Sequence, residues 1–367
     1  MHVLVGALGA ALILLNLAEF FVVLVLPRRV KRGVRLARRV FAMTWIPGRA
    51  LARRLPGSAG DSFLGILGPL GLFGIVILWA LGVVVGFAAL QWAGGSHVVS
   101  HGSGSFLDDL YFSGGAFLSA SSGVAPHTAF SKVVMLGEAA TGLMILFIVI
   151  GYLPALYDSF SRREVVVSQL DPRAGSPPSA GAILMRSADR GGWEEIATYL
   201  GEWDNWAAEL METHLSYPIL GYYRSQHLNQ SWLAALTTVV DTSAFAMATA
   251  PAPAAHAGEL TFAIGRHALA DLAYTFRVTP HSPADDRLPD AVLHELCSEL
   301  AERDLELTDE ESARMRLTEL RRTYEPYANA LAEHLAVNLP SWMPAGDAQR
   351  NWEAALWQSR RAVRSLP

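Results

Sequence analysis

From Ser62 to Leu107 the chain carries no Asp, Glu, Lys or Arg. A stretch of that length cannot be the surface of a globular domain, in which about a quarter of residues are charged. Its first part, Phe63–Trp92, is apolar and long enough to cross a bilayer with some tilt. Two further stretches have the same character. Val3–Leu26 is interrupted only by Asn16 and Glu19, and Val133–Tyr157 holds a single acid, Glu138. In the first of these the basic residues follow the apolar run, which predicts a retained span in place of a signal peptide. Asn16 and Glu19 lie three apart on one helical face, a spacing suited to a hydrogen bond with a neighbouring helix.

Charge supplies the orientation. The chain is 51% hydrophobic and only 17% charged, and its charge is segregated. Residues 28–54 hold ten Arg or Lys and no acid, whereas residues 162–367 hold eighteen basic against 28 acidic residues, a net of about −10. The positive-inside rule then predicts a multi-pass protein of the cell (inner) membrane. Its N-terminus lies outside, the basic loop inside, residues 94–131 outside, and the C-terminal half in the cytoplasm. Arg28, Arg29, Lys31, Arg32, Arg35, Arg38 and Arg39 alternate with Val and Leu. That alternation reads as an amphipathic helix on the inner leaflet, each basic residue contributing roughly 1 kcal/mol against anionic lipid. Docking onto the acidic C-terminal half, or charge that merely sets topology, are the alternatives. A segment tethered to the membrane is a poor fit to nucleic acid.

Between the second and third spans, a Gly/Ser/His-rich stretch leads to Asp109–Leu118, DLYFSGGAFL, which is mostly apolar and too short to cross. It runs into the small residues SASSG at Ser119–Gly123. Non-helical backbone at membrane depth persists only where protein buries it or it lines a water-filled path. Span, short helix, small-residue loop and span make the layout of a pore module.

In this order the segments LYFSGGAF and GEAATGLMILFIVIGYLPALYDSFSRRE, the latter at 137–164, resemble the pore domain of the two-transmembrane potassium-channel family over roughly residues 62–165. With DPRAGSPPSAG at 171–181, the second segment is similar to bacterial potassium-channel-like proteins that carry an uncharacterised helical C-terminal domain. The resemblance implies a pore helix, a filter, an inner helix and a homotetramer around a shared axis.

The filter departs from the family pattern T-x-G-Y-G-D. The six positions here are Ser119, Ala120, Ser121, Ser122, Gly123 and Val124. Ser121 replaces a glycine that allows left-handed backbone. Ser122 replaces the packing aromatic, and Val124 the bracing acid. Potassium selectivity is therefore not carried over. Two outcomes are compatible with the loop: a wider opening lined by hydroxyls and carbonyls that passes partly hydrated ions, or a collapsed plug. Glu138, near the outer end of the third span, is placed to brace the loop or to face water. Gly142, Gly151 and Pro154 are candidates for a hinge or gate, or for close packing and a kink.

The expected fold is all-α, with three transmembrane helices, a re-entrant pore helix and a cytoplasmic helical domain. Its parts are a first span at 1–27, a basic loop at 28–61, a pore module at 62–161, a linker at 162–181 and an acidic helical domain at 182–367. Within that domain Ser231–Ala248 is apolar but contains Asp241, and reads as a buried core helix. Trp203, Trp206, Tyr222, Tyr223 and Trp232 read as core aromatics. The single cysteine, Cys297, reads as a small buried residue and excludes an intramolecular disulfide. It shares a helix face with His294, but two residues make no metal site. No nucleotide-binding, zinc-hydrolase or nucleophile-elbow motif is present. No enzyme activity or cofactor is expected, and the permeant ion is not specified. The leading reading is an ion channel modulated through its cytoplasmic domain; the other is a non-conducting membrane scaffold or sensor on the same architecture.

Overall fold

The computed structural model describes residues 1–25, 36–55, 59–95, 105–120, 125–227, 229–308 and 310–344. Among these there are helices and connecting turns but no strand. The helices are α1 His2–Phe20, extended by a π-helical turn through Val25, then α2 Leu36–Ala52, α3 Ala59–Ala93, α4 Phe106–Phe117 and α5 Ala129–Ala174. There follow α6 Ala180–Ala188, α7 Gly192–Ser216, a 3₁₀ turn Pro218–Tyr222, α8 Trp232–Thr249, α9 Ala252–Phe276, α10 Asp290–Ala301 and α11 Glu310–Leu335. The chain divides into two compact units, Met1–Tyr157 and Asp158–Pro367. Four of the described helices, the extended α1, α3, α5 and α8, are long and apolar enough to cross a membrane, which marks a membrane-embedded protein.

In the first unit α3 is the spine. Its C-terminal half packs antiparallel against α1 through small residues. A Cβ on Gly9 would lie 2.7 Å from the Gly86 carbonyl oxygen, and one on Gly86 would lie 2.6 Å from Ile13 Cγ1. Close backbone approach of this kind is how apolar helices associate where lipid removes the hydrophobic drive between them. Asn16 faces Gly82 and donates from Nδ2 to the Leu12 carbonyl at 2.8 Å, so its polar group is satisfied within its own helix. Phe20 meets Trp79 edge to face at 5.4 Å.

The N-terminal half of α3 receives α2. The Phe41 ring fills the space beside Gly71, Leu67 fits over Gly48, and Ala52 closes on Gly60. Phe41 and Trp45 are thereby buried, while Met43, Ile46 and Leu51 on the other faces stay exposed. Within the described residues, the Phe41/Trp45 face of α2 packs on α3.

The second unit is built around α8. All of its residues except Met247 are buried, and α6, α7, α9 and α11 pack on it. Although α8 has the length of a span, 94% of its apolar window is covered by the protein itself, so it has no face left for lipid. Four of its hydroxyls are satisfied by their own helix, Thr237, Thr242, Ser243 and Thr249 each donating to the carbonyl four residues back, while Thr238 Oγ1 has no partner. The aromatics Trp203, Trp206, Tyr223 and Trp232 are buried, Tyr222 is partly so, and Cys297 lies in the core. The segment expected as a linker is helical as far as Ala174. Val167, Leu170 and Ala174 are buried in this core, because α5 continues with an apolar stripe on the new side.

Asp241, the one acid on α8, is fully buried and paired. Arg287 donates to both of its oxygens and to Glu325 at 3.1 Å, and Tyr324 donates its hydroxyl to Asp241. Arg287 also donates twice to the Pro340 carbonyl, at 3.1 and 2.9 Å. Arg321 joins Glu325 and Asp286. Burial and the neighbouring charge of Asp241 push the Glu325 carboxyl up.

A second buried cluster holds the α5 stretch inside this unit. Arg163 donates to the Leu220 and Tyr223 carbonyls at 2.9 and 3.0 Å and to Glu164 at 3.0 Å. Ser225 donates its hydroxyl to Glu164 at 2.6 Å. His214 is fully buried; its Nδ1 lies 2.8 Å from the Leu210 carbonyl and its Nε2 lies 3.3 Å from Arg163. The neutral ring donates from Nδ1 and accepts at Nε2. Burial first, and the Arg163 charge second, pull its pKa down to about 3.

A histidine held neutral in the folded state costs stability wherever the unfolded chain would bind the proton. The unit should therefore lose stability as pH falls from about 6.5 toward 3, by roughly 2 kcal/mol at pH 5. Thermal denaturation of the native protein and of His214→Gln between pH 7 and 4.5 checks this. The variant should show the shallower slope, and equal slopes would remove His214 as the cause.

Candidate functional site

The short helix α4 opens with a capping box: the Asp108 carboxylate accepts the Ser105 N–H at 2.8 Å, and Ser105 Oγ accepts the Asp108 N–H at 3.4 Å. It closes as sharply. Ser119 adopts φ 54°, its N–H donates to the Ala116 carbonyl at 3.0 Å, and the Ala120 N–H reaches back to Gly115 at 2.8 Å. This is the paired closure of a Schellman motif, with serine at the left-handed position where glycine is usual. The tight stop uses Ser119 and Ala120 as the helix cap. The expected filter positions Ser121, Ser122 and Gly123, and the expected support Val124, lie outside the described residues.

One face of α4 is buried completely: Asp109, Phe112 and Ser113 at 0%, 1% and 0% exposure. The helix packs on α3 and alongside α5. Phe117 at its C-terminal end touches Gly142, where an added Cβ would stand 2.1 Å from the Phe117 carbonyl oxygen. One turn earlier on both helices, Ser113 lies beside Glu138. The pairing of 113 with 138 and of 117 with 142 makes α4 and α5 run in the same direction. The end of α3 meets the start of α5 in the opposite sense. Phe130 packs over Gly94, Gln91 Nε2 donates to the Ser131 carbonyl at 3.2 Å, and Phe87 comes within 3.9 Å of the Gly137 position.

Glu138 is fully buried against α4, so it does not face water. Neither of its oxygens has a hydrogen-bond partner, and neither does Ser113 Oγ. Such groups are uncommon in folded interiors and mark strain, an unplaced water or a functional role. Gly142 is taken up by the close approach of α4. Gly151 has nothing within 4 Å of its open side, and the helix passes through Pro154 without a break. Arg39 is exposed. Arg28, Arg29, Lys31, Arg32 and Arg35, and the side chain of Arg38, lie outside the described residues.

Sequence reasoning passed over Asp109 and Ser113. Their signal was present, as two polar residues four apart in an otherwise apolar segment share one helical face. Among the described residues no three of His, Cys, Asp and Glu gather as a metal site. The described part of the site presents no paired acid, base and nucleophile. No protein-family model, curated protein or solved structure matches the chain.

Proposed function

We propose that the chain is one subunit of a tetrameric, potassium-channel-like ion channel with a weakly selective filter. In this reading α1, α3 and α5 cross the membrane, α4 re-enters from the outer side, and the second unit is cytoplasmic. The observation that carries it is the seat of α4. A helix of 12 residues, about 18 Å long, cannot cross a bilayer, yet it is lodged between two helices that can. It ends in a tight turn that hands the chain to the small-residue loop. The negative end of the α4 dipole, at the end that leads into this loop, favours a cation over an anion.

Two further observations support the assembly and the orientation. Only 22% of the apolar window of α5 is buried, and Val133, Leu136, Leu143, Leu146, Phe147 and Ile150 are exposed along one broad face of the helix. Lipid and neighbouring subunits together would cover such a face. The basic residues of 28–54, and Arg162 and Arg163 after the third span, support an inside location for both flanks and contact of the basic segment with anionic lipid.

Ion flux into liposomes carrying the purified protein, under separate K⁺, Na⁺ and Cl⁻ gradients, tests the proposal. Cation flux with little preference between K⁺ and Na⁺ is expected, and Ser121→Phe with Ser122→Phe should abolish it. Folded, tetrameric protein that passes no ion under any gradient would favour the non-conducting scaffold.

A further inference from the structure

We infer that the contact between α4 and α5 is a proton site: Glu138 is held there as the neutral acid, hydrogen-bonded to Ser113, and loss of that proton releases α4 from its seat. Both side chains are fully buried, and they lie beside each other on facing helices. Neither Glu138 oxygen has a hydrogen-bond partner, and neither has Ser113 Oγ. A small rotation of either side chain lets the acid O–H donate to Ser113 Oγ, which satisfies both groups at once. No cavity is needed, since the ligand is a proton.

The surroundings do not support an ionised carboxylate. α3 carries no ionisable side chain between residues 62 and 93. On α5 the charged group before Glu138 is Lys132, six residues earlier and exposed. On α4 the titratable groups are Asp108 and Tyr111, both exposed, and Asp109, which shares the buried face one turn from Ser113. Asp109 is an acid like Glu138, so this face offers a second negative group in place of a counter-ion. The carbonyl end of α4 lies one turn on, at Gly142, and its negative dipole adds to the opposition. An ionised carboxylate buried without a cation is among the costliest groups a protein can hold, whereas a neutral acid needs only a hydrogen bond.

Because Glu138 has no exposure, its proton exchanges only when α4 lifts from α5. The proton binds the seated arrangement better than the lifted one, and that difference couples it to the movement of the helix. α4 ends in the turn at Ser119 and Ala120, so its release carries that turn with it. The inference does not depend on whether the pore conducts.

Infrared spectroscopy and amide hydrogen exchange on the full-length, detergent-purified protein test it. Glu138→Gln is neutral and nearly isosteric, and Ser113→Ala removes a single hydroxyl, so both variants should fold. The spectrum of the native protein minus that of Glu138→Gln should show the carbonyl stretch of a protonated carboxyl. In Ser113→Ala that band should remain but move to higher frequency, because its hydrogen bond is gone. Over the pH range in which the band persists, the ratio of α4 amide exchange in the native protein to that in Glu138→Gln should rise by up to about tenfold per pH unit, as expected for one linked proton.

A difference spectrum that shows the loss of a carboxylate instead of an acid would overturn the proton site. A band that stays in place in Ser113→Ala would overturn the pairing with Ser113. An exchange ratio that does not change with pH would overturn the release of α4.

Discussion

Gly142→Ala is expected to unseat α4 and to abolish cation flux, while Gly151→Ala nine residues later leaves both fold and flux as they are. The two substitutions are chemically identical and sit on the same helix. At Gly142 the added methyl would stand 2.1 Å from the Phe117 carbonyl oxygen and 3.0 Å from its carbon. Those are backbone atoms in the last turn of α4, so no side chain can rotate out of the way. The helix must move, and with it the Schellman turn at Ser119 and the loop beyond. Forcing a methylene into a close-packed contact costs about 1–3 kcal/mol, with backbone contacts at the upper end. At Gly151 nothing lies within 4 Å, and alanine should gain roughly 1 kcal/mol of helix propensity.

Thermal denaturation of the detergent-purified protein, and flux in liposomes, measure both effects. A Gly142→Ala protein with native stability and native flux would mean that α4 does not depend on its contact with α5. Loss of flux in Gly151→Ala with unchanged stability would instead restore that glycine as a hinge.

This contrast also marks where the sequence stops being informative. Gly142, Gly151 and Pro154 are alike in the sequence as helix-softening residues, and only the position of the Phe117 carbonyl distinguishes the first from the second. The long apolar helices were legible because their length and lack of charge admit few alternatives. The burial of α8 was legible from Asp241, which lipid would not tolerate unpaired. The short α4 was legible from its length and the small residues after it, although its buried Asp109–Ser113 face became meaningful only with Glu138 opposite.

Other features depended on distant partners. The seat of α2 was not legible, because Phe41 and Trp45 cannot be matched to Gly71 and its neighbours on α3 from spacing alone. The stretch 162–174 resembled a linker because its Pro and Gly residues follow closely, while the stripe Val167–Leu170–Ala174 that continues α5 is short. The pairing of Asp241 with Arg287 and Tyr324 joins three distant segments, one of them a Pro-rich loop with no periodicity to read.

That last cluster carries the largest stability effect expected in the second unit. Arg287→Met should lower stability by about 3–5 kcal/mol, because it removes the cation from a buried pair and leaves the anion behind. The imbalance makes the direction specific. Asp241, Asp286 and Glu325 face two guanidiniums, those of Arg287 and Arg321. Removing Arg287 leaves three carboxylates against one cation, and Asp241, with no exposure at all, keeps only the Tyr324 hydroxyl. It also strips two hydrogen bonds from the Pro340 carbonyl.

Asp241→Asn does the reverse. It leaves two carboxylates against two cations, Arg287 keeps Glu325 and Pro340, and the Glu325 carboxyl loses the neighbouring charge that helps to push it up. Its cost should be well under half that of Arg287→Met. The double variant should destabilise by less than the sum of the two, since the buried anion that makes Arg287→Met expensive is then gone. Denaturation of the three variants measures this directly. Equal costs for the two single variants, or strict additivity in the double, would mean that the cluster acts through packing alone and that its charge imbalance is compensated elsewhere.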